Sequence, residues 1–204
     1  LSLRRQRQMC IRDRNYTKVP LVIHETFFYT SDTLKNGGRE MFGFLKKKNE
    51  VVENNTMYAV ANGTVIPISE VNDPVFSQKM MGDGYAVVPE NGEIYAPIEG
   101  EVLSVFQTKH AIGLKMTNGL EILLHMGIDT VELNGAPFTI KVKEGDQVTA
   151  DTVVAIDDLE AIKVAGKGTE MVVIITNMDK VAQFSLEKTG VVTAGTPVGS
   201  ATAN

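Results

Sequence analysis

The pair Asn118-Gly119 sits between two apolar runs in the stretch His110-Ala-Ile-Gly-Leu-Lys-Met-Thr-Asn118-Gly119-Leu-Glu-Ile-Leu-Leu-His125. Asn-Gly in that setting is the strongest short-range signal for a β-hairpin with a two-residue turn. Such a turn fixes the register of everything around it. Thr117 then faces Leu120, and His125 falls opposite Ile112. His110 lies two residues from Ile112, so it shares that face and becomes the diagonal neighbour of His125. Diagonal side chains on one face start roughly 7–8 Å apart, close enough for two imidazoles to converge on one small group. Ile112, Leu114 and Leu123 are expected to line the pair.

The rest of the chain from Met57 onward reads the same way. Short β-branched runs such as Tyr85–Val88, Glu101–Phe106, Val153–Ile156 and Val172–Ile175 alternate with Gly, Pro and Asn punctuation. That spacing predicts an all-β antiparallel sandwich or barrel. Asp158–Gly166 reads as a short helix and Asp179–Leu186 as another turn or two, while Pro74 is expected to stiffen a strand. The chain also repeats itself. Tyr58-Ala-x-x-x-Gly63-x-Val65 recurs as Tyr95-Ala-x-x-x-Gly100-x-Val102, and Val148-Thr-Ala-Asp-Thr-Val-Val154 as Val192-Thr-Ala-Gly-Thr-Pro-Val198. Two related β-motifs closing on one core are therefore expected.

Charge divides the chain at Met41. Every arginine and the single cysteine, Cys10, precede it. Residues 1–40 carry eight Lys or Arg against four Asp or Glu, a net +4; residues 41–204 carry twelve against twenty-one, a net −9. A nucleic-acid arm and a targeting peptide both compete for the basic opening. The apolar stretch Leu21–Tyr29 is broken by His24, Glu25 and Thr26, which does not suit a signal peptide. Leu3-Arg-Arg-Gln-Arg-Gln-Met-Cys-Ile-Arg-Asp-Arg14 resembles translated adaptor sequence, so residues 1–40 are read as non-native and translation as starting at Met41. Detection of an upstream peptide in protein from the native host would contradict this. Residues 41–56 are expected to form a flexible tail, whose Phe42-Gly-Phe-Leu45 and Lys46-Lys47-Lys48 offer at most weak contact with an anionic membrane surface. Residues 57–204 form the folded domain. Its acidity argues against a nucleic-acid partner, and no apolar run nears the roughly 20 residues of a membrane span. Lacking cysteine, it suits a reducing cytoplasm.

A lone strand histidine is more often packing than catalyst, but two on one apolar face form a candidate site. Neutral imidazole is a competent nucleophile or metal ligand at physiological pH. An intrinsic metal site wants a third or fourth ligand, and Asp129 is the only near candidate. No metal, no cofactor, no P-loop and no dinucleotide fingerprint is read from the chain.

Leu123-Leu-His125-Met-Gly-Ile-Asp129-Thr-Val-Glu-Leu-Asn-Gly135 resembles the phosphorylation-site signature of the glucose-type enzyme IIA family of the sugar phosphotransferase system. Phe106-Gln-Thr108-Lys-His110-Ala is similar to that family's second-histidine motif. Asp73-Pro-Val75-Phe76-Ser-Gln-Lys-Met-Met-Gly82-Asp83-Gly84 and Ile174-Ile-Thr-Asn177-Met-Asp179 match further segments, so the resemblance runs from about Met57 to Val198. It implies the duplicated hybrid fold and a phosphocarrier role in sugar uptake. His125 would take phosphate from the histidine phosphocarrier protein and pass it to the cysteine of a sugar-specific IIB domain. His110 would stabilise the transferred group and Thr108 would orient His110. Val75, Phe76, Phe106, Leu123, Met126, Ile128 and Val131 would form an apolar docking rim, with Asp73 and Asp129 meeting basic groups on the partners. Some enteric relatives carry Phe at the positions of Leu123 and Met126. Relatives also bind regulatory targets, sometimes through zinc shared by the two histidines and a partner carboxylate.

Two rivals come from other classes. Ala96-Pro-Ile-Glu-Gly100, Glu144-Gly-Asp-Gln-Val148 and Leu159-Glu-Ala-Ile-Lys163 echo biotin- and lipoyl-carrier domains, which modify a hairpin lysine. Such domains are about half this size, and Lys163 falls in the expected helix. A zinc metallopeptidase on a related β fold would need a fuller ligand set than the chain offers.

Overall fold

The computed structural model describes residues 53–204. The expectations for residues 1–40, and for the tail up to residue 52, lie outside the described residues. Among the described residues, no helix is long and apolar enough to cross a membrane.

Strands dominate. In chain order they are β1 (Thr56–Tyr58), β2 (Gly63–Pro67), β3 (Asp83–Pro89), β4 (Glu93–Tyr95), β5 (Gly100–Val105), β6 (Ala111–Met116) and β7 (Glu121–Ile128). Then come β8 (Phe138–Ile140), β9 (Gln147–Val148), β10 (Val153–Asp157), β11 (Gly168–Ile175), β12 (Val181–Leu186), β13 (Gly190–Val192) and β14 (Pro197–Ala203). All pairings are antiparallel, in an eight-stranded sheet of order β13-β2-β3-β11-β7-β6-β5-β9 and two three-stranded sheets, β1-β14-β12 and β4-β10-β8. The expected all-β architecture is the observed one.

The sequence repeats are repeats of hydrogen bonding. Tyr58 N–H donates to the Pro97 carbonyl, and Tyr95 N–H donates to the Val60 carbonyl, so the two motifs exchange equivalent bonds. Ala59 N–H meets Thr196 O as Ala96 N–H meets Thr152 O. At the start of each following strand, Gly63 pairs with Val192 and Gly100 with Val148. Gly100 admits no side chain, since a β-carbon there would stand 1.9 Å from the Lys115 carbonyl oxygen. Backbone approach of that kind is what a glycine permits at a sheet bend.

Strand alternation sorts the large sheet into two faces. Ile122, Leu124 and Met126 on β7, Ile112, Leu114 and Met116 on β6, and Met171, Val173 and Ile175 on β11 enter the main core. That core also takes Met57, Ile94, Phe138, Ala155, Val198 and Ala201 from the two smaller sheets. Leu123 and Ala111, with Val172, Ile174 and Ala86, face the other way. There they meet Ile68, Val71 and Phe76 from the connection between β2 and β3.

Two segments differ from expectation. Pro74 opens a one-turn helix, Pro74–Ser77, instead of stiffening a strand. Asp73 caps it, its Oδ1 accepting from Val75 N–H at 2.8 Å and Phe76 N–H at 3.2 Å. An Asx cap followed by proline in the first turn is a helix-start signal, and it was present in the sequence. Asp179–Leu186 is mainly strand β12, after a 3₁₀ turn at Met178–Lys180. The other short helix is where it was expected, Leu159–Val164, with Asp158 Oδ1 accepting from Ala161 N–H. The expected flexible tail also ends earlier than residue 56. Asn54 N–H donates to Thr117 Oγ1 at 2.8 Å, Ala201 N–H donates to Asn55 O, and Thr56 begins β1.

Candidate functional site

The β6–β7 hairpin forms, but its loop has three residues. Gly119 N–H donates to Met116 O, Met116 N–H donates to Leu120 O, and Gly119 holds φ 90°. A turn over Thr117 and Asn118 closed by a left-handed glycine is the bulged alternative to a two-residue loop. The extra residue moves the register by one. His125 therefore pairs with Ala111 instead of Ile112. Ile112 and Leu114 consequently belong to the main core, and of the three expected lining residues only Leu123 shares the face of His125.

The two histidines meet nevertheless. Their ring centroids are 4.9 Å apart with planes at 75°. His110 arrives by a different route from a regular diagonal. Lys109 is left-handed, at φ 53°, and its N–H donates to Phe106 O in a tight turn. That turn breaks strand alternation just before β6, so the His110 ring is not bound to the opposite face. His125 sits within β7, flanked across the ladder by Ala111 and Val172. Gly84 and Gly113 add to the small residues on this side of the sheet, opposite Ile174 and Leu123. Phe76 stands edge-on to His125 at 5.2 Å and Phe106 edge-on to His110 at 5.4 Å.

Hydrogen bonds give each ring a defined role. His125 Nδ1–H donates to the Gly127 carbonyl at 2.7 Å, which leaves Nε2 with a bare lone pair. Gly127 is left-handed, φ 78°, and folds its carbonyl back toward the ring. His110 Nδ1 and Thr108 Oγ1 lie 2.6 Å apart. If the Thr108 hydroxyl donates, His110 carries its proton on Nε2 and is itself a donor. Each histidine is 3% exposed. Among the described residues the sealed, unpartnered side-chain atoms are Asp157 Oδ1 and Oδ2 and Glu170 Oε2, and neither histidine's Nε2 is one of them.

Burial sets the protonation. It pushes His110 down to about 3, with repulsion from His125 adding to the effect. His125 also lies below its ordinary value through burial, opposed by the Gly127 carbonyl, Asp73 and Asp129. Both rings are thus neutral near pH 7. The unfolded chain takes up protons below about pH 6.5, whereas the folded rings do not until well below it. Stability should therefore fall as pH drops from 6.5 toward 3, by up to about 1.4 kcal/mol per pH unit for His110, with His125 acting in the same direction. Imidazole NMR from pH 8 to 5 checks this: both rings should still be mostly neutral at pH 6.5, and a midpoint at or above 6.5 would contradict the assignment.

The expected docking residues divide. Val75, Phe76, Leu123 and Ile128 are buried, Phe76 standing against His125, while Phe106 and Val131 are half-buried. Met126 is a correction. It is 0% exposed in the main core, because neighbours on a strand point to opposite faces and His125 takes the site side. Asp73, 7% exposed, acts first as a helix cap, and half-buried Asp129 is left-handed at φ 57°. Sequence reasoning missed Gly127 as part of the site, although a glycine two residues after a strand histidine is a cue. Among the described residues, no group of three or more His, Cys, Asp or Glu gathers to hold a metal. Lys163 lies on the helix Leu159–Val164, solvated and paired with Glu160 at 2.9 Å, not on a hairpin tip.

Comparison with known proteins settles the family. The profile of the phosphoenolpyruvate-dependent sugar phosphotransferase system, EIIA 1, matches residues 55–181. The chain belongs to this enzyme IIA family. Within it, the chain is 44% identical to a glucose-specific EIIA component of Halalkalibacterium halodurans, over 72% of this chain and 86% of that protein. It is 51% identical to the EIICBA component of Streptococcus pneumoniae, over 70% of this chain but only 20% of that much longer protein. The solved glucose permease IIA of Mycoplasma capricolum shares 35% identity and a TM-score of 0.66, over 71% of this chain and 93% of that one. This enzyme IIA chain is a phosphocarrier of the sugar phosphotransferase system, and the carrier-domain and metallopeptidase readings fall away.

Proposed function

We propose that His125 Nε2 is the atom that carries the phosphoryl group, with His110 as its stabiliser and Thr108 as the residue that orients His110. The observation that carries this reading is the 2.7 Å bond from His125 Nδ1–H to the Gly127 carbonyl, which leaves one nitrogen available for attack. In the first half-reaction the P–N bond of the phosphorylated histidine phosphocarrier protein breaks as a P–N bond to His125 forms. In the second, that bond breaks as the thiolate of a sugar-specific IIB domain takes the phosphoryl group. No water enters either step, and apolar walls around a labile phosphohistidine help exclude it. Such transfers need in-line placement and stabilised equatorial oxygens more than covalent chemistry from the protein.

Val75, Phe76, Phe106, Leu123, Ile128 and Val131 supply the apolar contact for both partners, and Asp73 and Asp129 the charge that meets basic groups on them. The domain works on the cytoplasmic side, where phosphoenolpyruvate is made. The sugar is chosen by the downstream partner.

The test is incubation with phosphoenolpyruvate, enzyme I and the histidine phosphocarrier protein, then peptide mapping under alkaline conditions that preserve phosphohistidine. A single label on the peptide bearing His125, linked through Nε2, is the expected result. Label on another residue, or none, overturns the reading.

A further inference from the structure

Thr130 is fully buried immediately beyond β7, and the relay described above gives it no part. Its two branches act separately. Oγ1 donates to the Met126 carbonyl at 2.6 Å, closing a ring across Gly127, Ile128 and Asp129. The methyl lies against Gly127: a β-carbon built there would stand 2.5 Å from Thr130 Cγ2 and 2.7 Å from the Gly168 carbonyl oxygen. The Gly127 peptide is therefore held between a side chain and a neighbouring strand.

What is held matters because this short loop is conformationally costly. Gly127 has φ 78° and Asp129 φ 57°, so two of three consecutive residues are left-handed, one of them with a β-carbon. Residues in such regions persist only where their surroundings over-determine them. The Gly127 carbonyl is the acceptor for His125 Nδ1–H. If that peptide rotated away, Nδ1–H would lose its partner and the ring would be free to move its proton to Nε2, the atom that must carry the lone pair.

We propose that Thr130 is a positioning residue: through the bond from its hydroxyl to Met126 O, it aims the Gly127 carbonyl at His125 and keeps His125 in the tautomer with a bare Nε2. The consequence for phosphoryl transfer rests on His125 being the acceptor; the consequence for the tautomer does not.

The test separates the two branches. Thr130→Val keeps the methyl and removes the donor, whereas Thr130→Ser keeps the donor and removes the methyl. Imidazole ¹⁵N NMR of the full chain reads the His125 tautomer without any phosphate present. Thr130→Val should show a measurable Nε2–H fraction at His125, with His110 unchanged, and phosphoryl acceptance slowed about fivefold, the scale of one net hydrogen bond. Thr130→Ser should restore the native tautomer and a rate within about twofold of the unmodified protein. A native tautomer in Thr130→Val, or equal losses in both variants, would overturn the proposal. Where Thr130→Val does not fold, the pair Thr130→Ala and Thr130→Ser asks the same question of the hydroxyl. Failure of the unmodified protein to accept phosphate would instead sink the relay reading and leave the tautomer result standing.

Discussion

Replacing His125 with glutamine should abolish phosphate acceptance, lowering the rate by more than about a thousandfold, as removal of a nucleophile does elsewhere. Glutamine is the informative choice. Its size and polarity are close to those of the imidazole, but an amide nitrogen has no lone pair free for attack on phosphorus. The second imidazole cannot take over. His110 Nδ1 is engaged with Thr108 Oγ1 at 2.6 Å, and with the hydroxyl as donor the ring carries its proton on Nε2 and is a donor there, not a nucleophile. The variant should remain folded, because Ala111, Val172, Phe76 and Leu123 still enclose the position. The measurement is acceptance of labelled phosphate from the phosphorylated histidine phosphocarrier protein, alongside a thermal melt. Residual labelling above about one part in a thousand, in a folded variant, would assign the acceptor to another residue.

That the two imidazoles would meet was legible in the sequence, but the turn type was not. Asn118-Gly119 marks a hairpin and does not distinguish a two-residue turn from a turn closed by a bulged glycine; the φ of 90° at Gly119 belongs to the second. One residue of slip ought to have moved every side chain to the opposite face. His110 escaped because left-handed Lys109 ends the regular pleat before the ladder starts. The site was thus preserved by a local backbone conformation that no hydrophobic pattern encodes. Met126 is a different matter. Period-two alternation alone places it opposite His125 whatever the register, so its burial in the main core was readable from the sequence. The helix at Pro74–Ser77 was readable too, from Asp73 as cap and Pro74 in the first turn. The duplication was the most transparent feature, since it repeats in residue identity and then in hydrogen bonding, Tyr58 to Pro97 as Tyr95 to Val60. Gly127 and Thr130 were the least transparent. Their importance lies in the aim of one carbonyl, and a carbonyl has no side chain to show it.

The proposed division of labour between the two imidazoles has its sharpest consequence in His110→Gln. Phosphate acceptance should survive within about tenfold, whereas onward transfer to a IIB cysteine should slow by about a hundredfold, the lower end for removing one donor from developing charge. The asymmetry follows from counting charge. In the first half-reaction one neutral imidazole replaces another at phosphorus, so the transition state carries little beyond the charge of the phosphoryl group itself. In the second the incoming nucleophile is a thiolate, which brings a further negative charge into the apolar surround of Phe76, Phe106 and Leu123. A donor beside the phosphoryl oxygens is worth more there. His110, bonded through Nδ1 to Thr108 Oγ1 at 2.6 Å and 4.9 Å ring-to-ring from His125, is the group placed to supply it. Glutamine supplies a donor on a longer, unanchored arm, which suffices for the less charged step. Rapid-quench measurement of the two half-reactions with purified partners separates them. Equal slowing of both would mean that His110 acts on the site as a whole, through the packing of His125, and not on the charge that accumulates as the thiolate arrives.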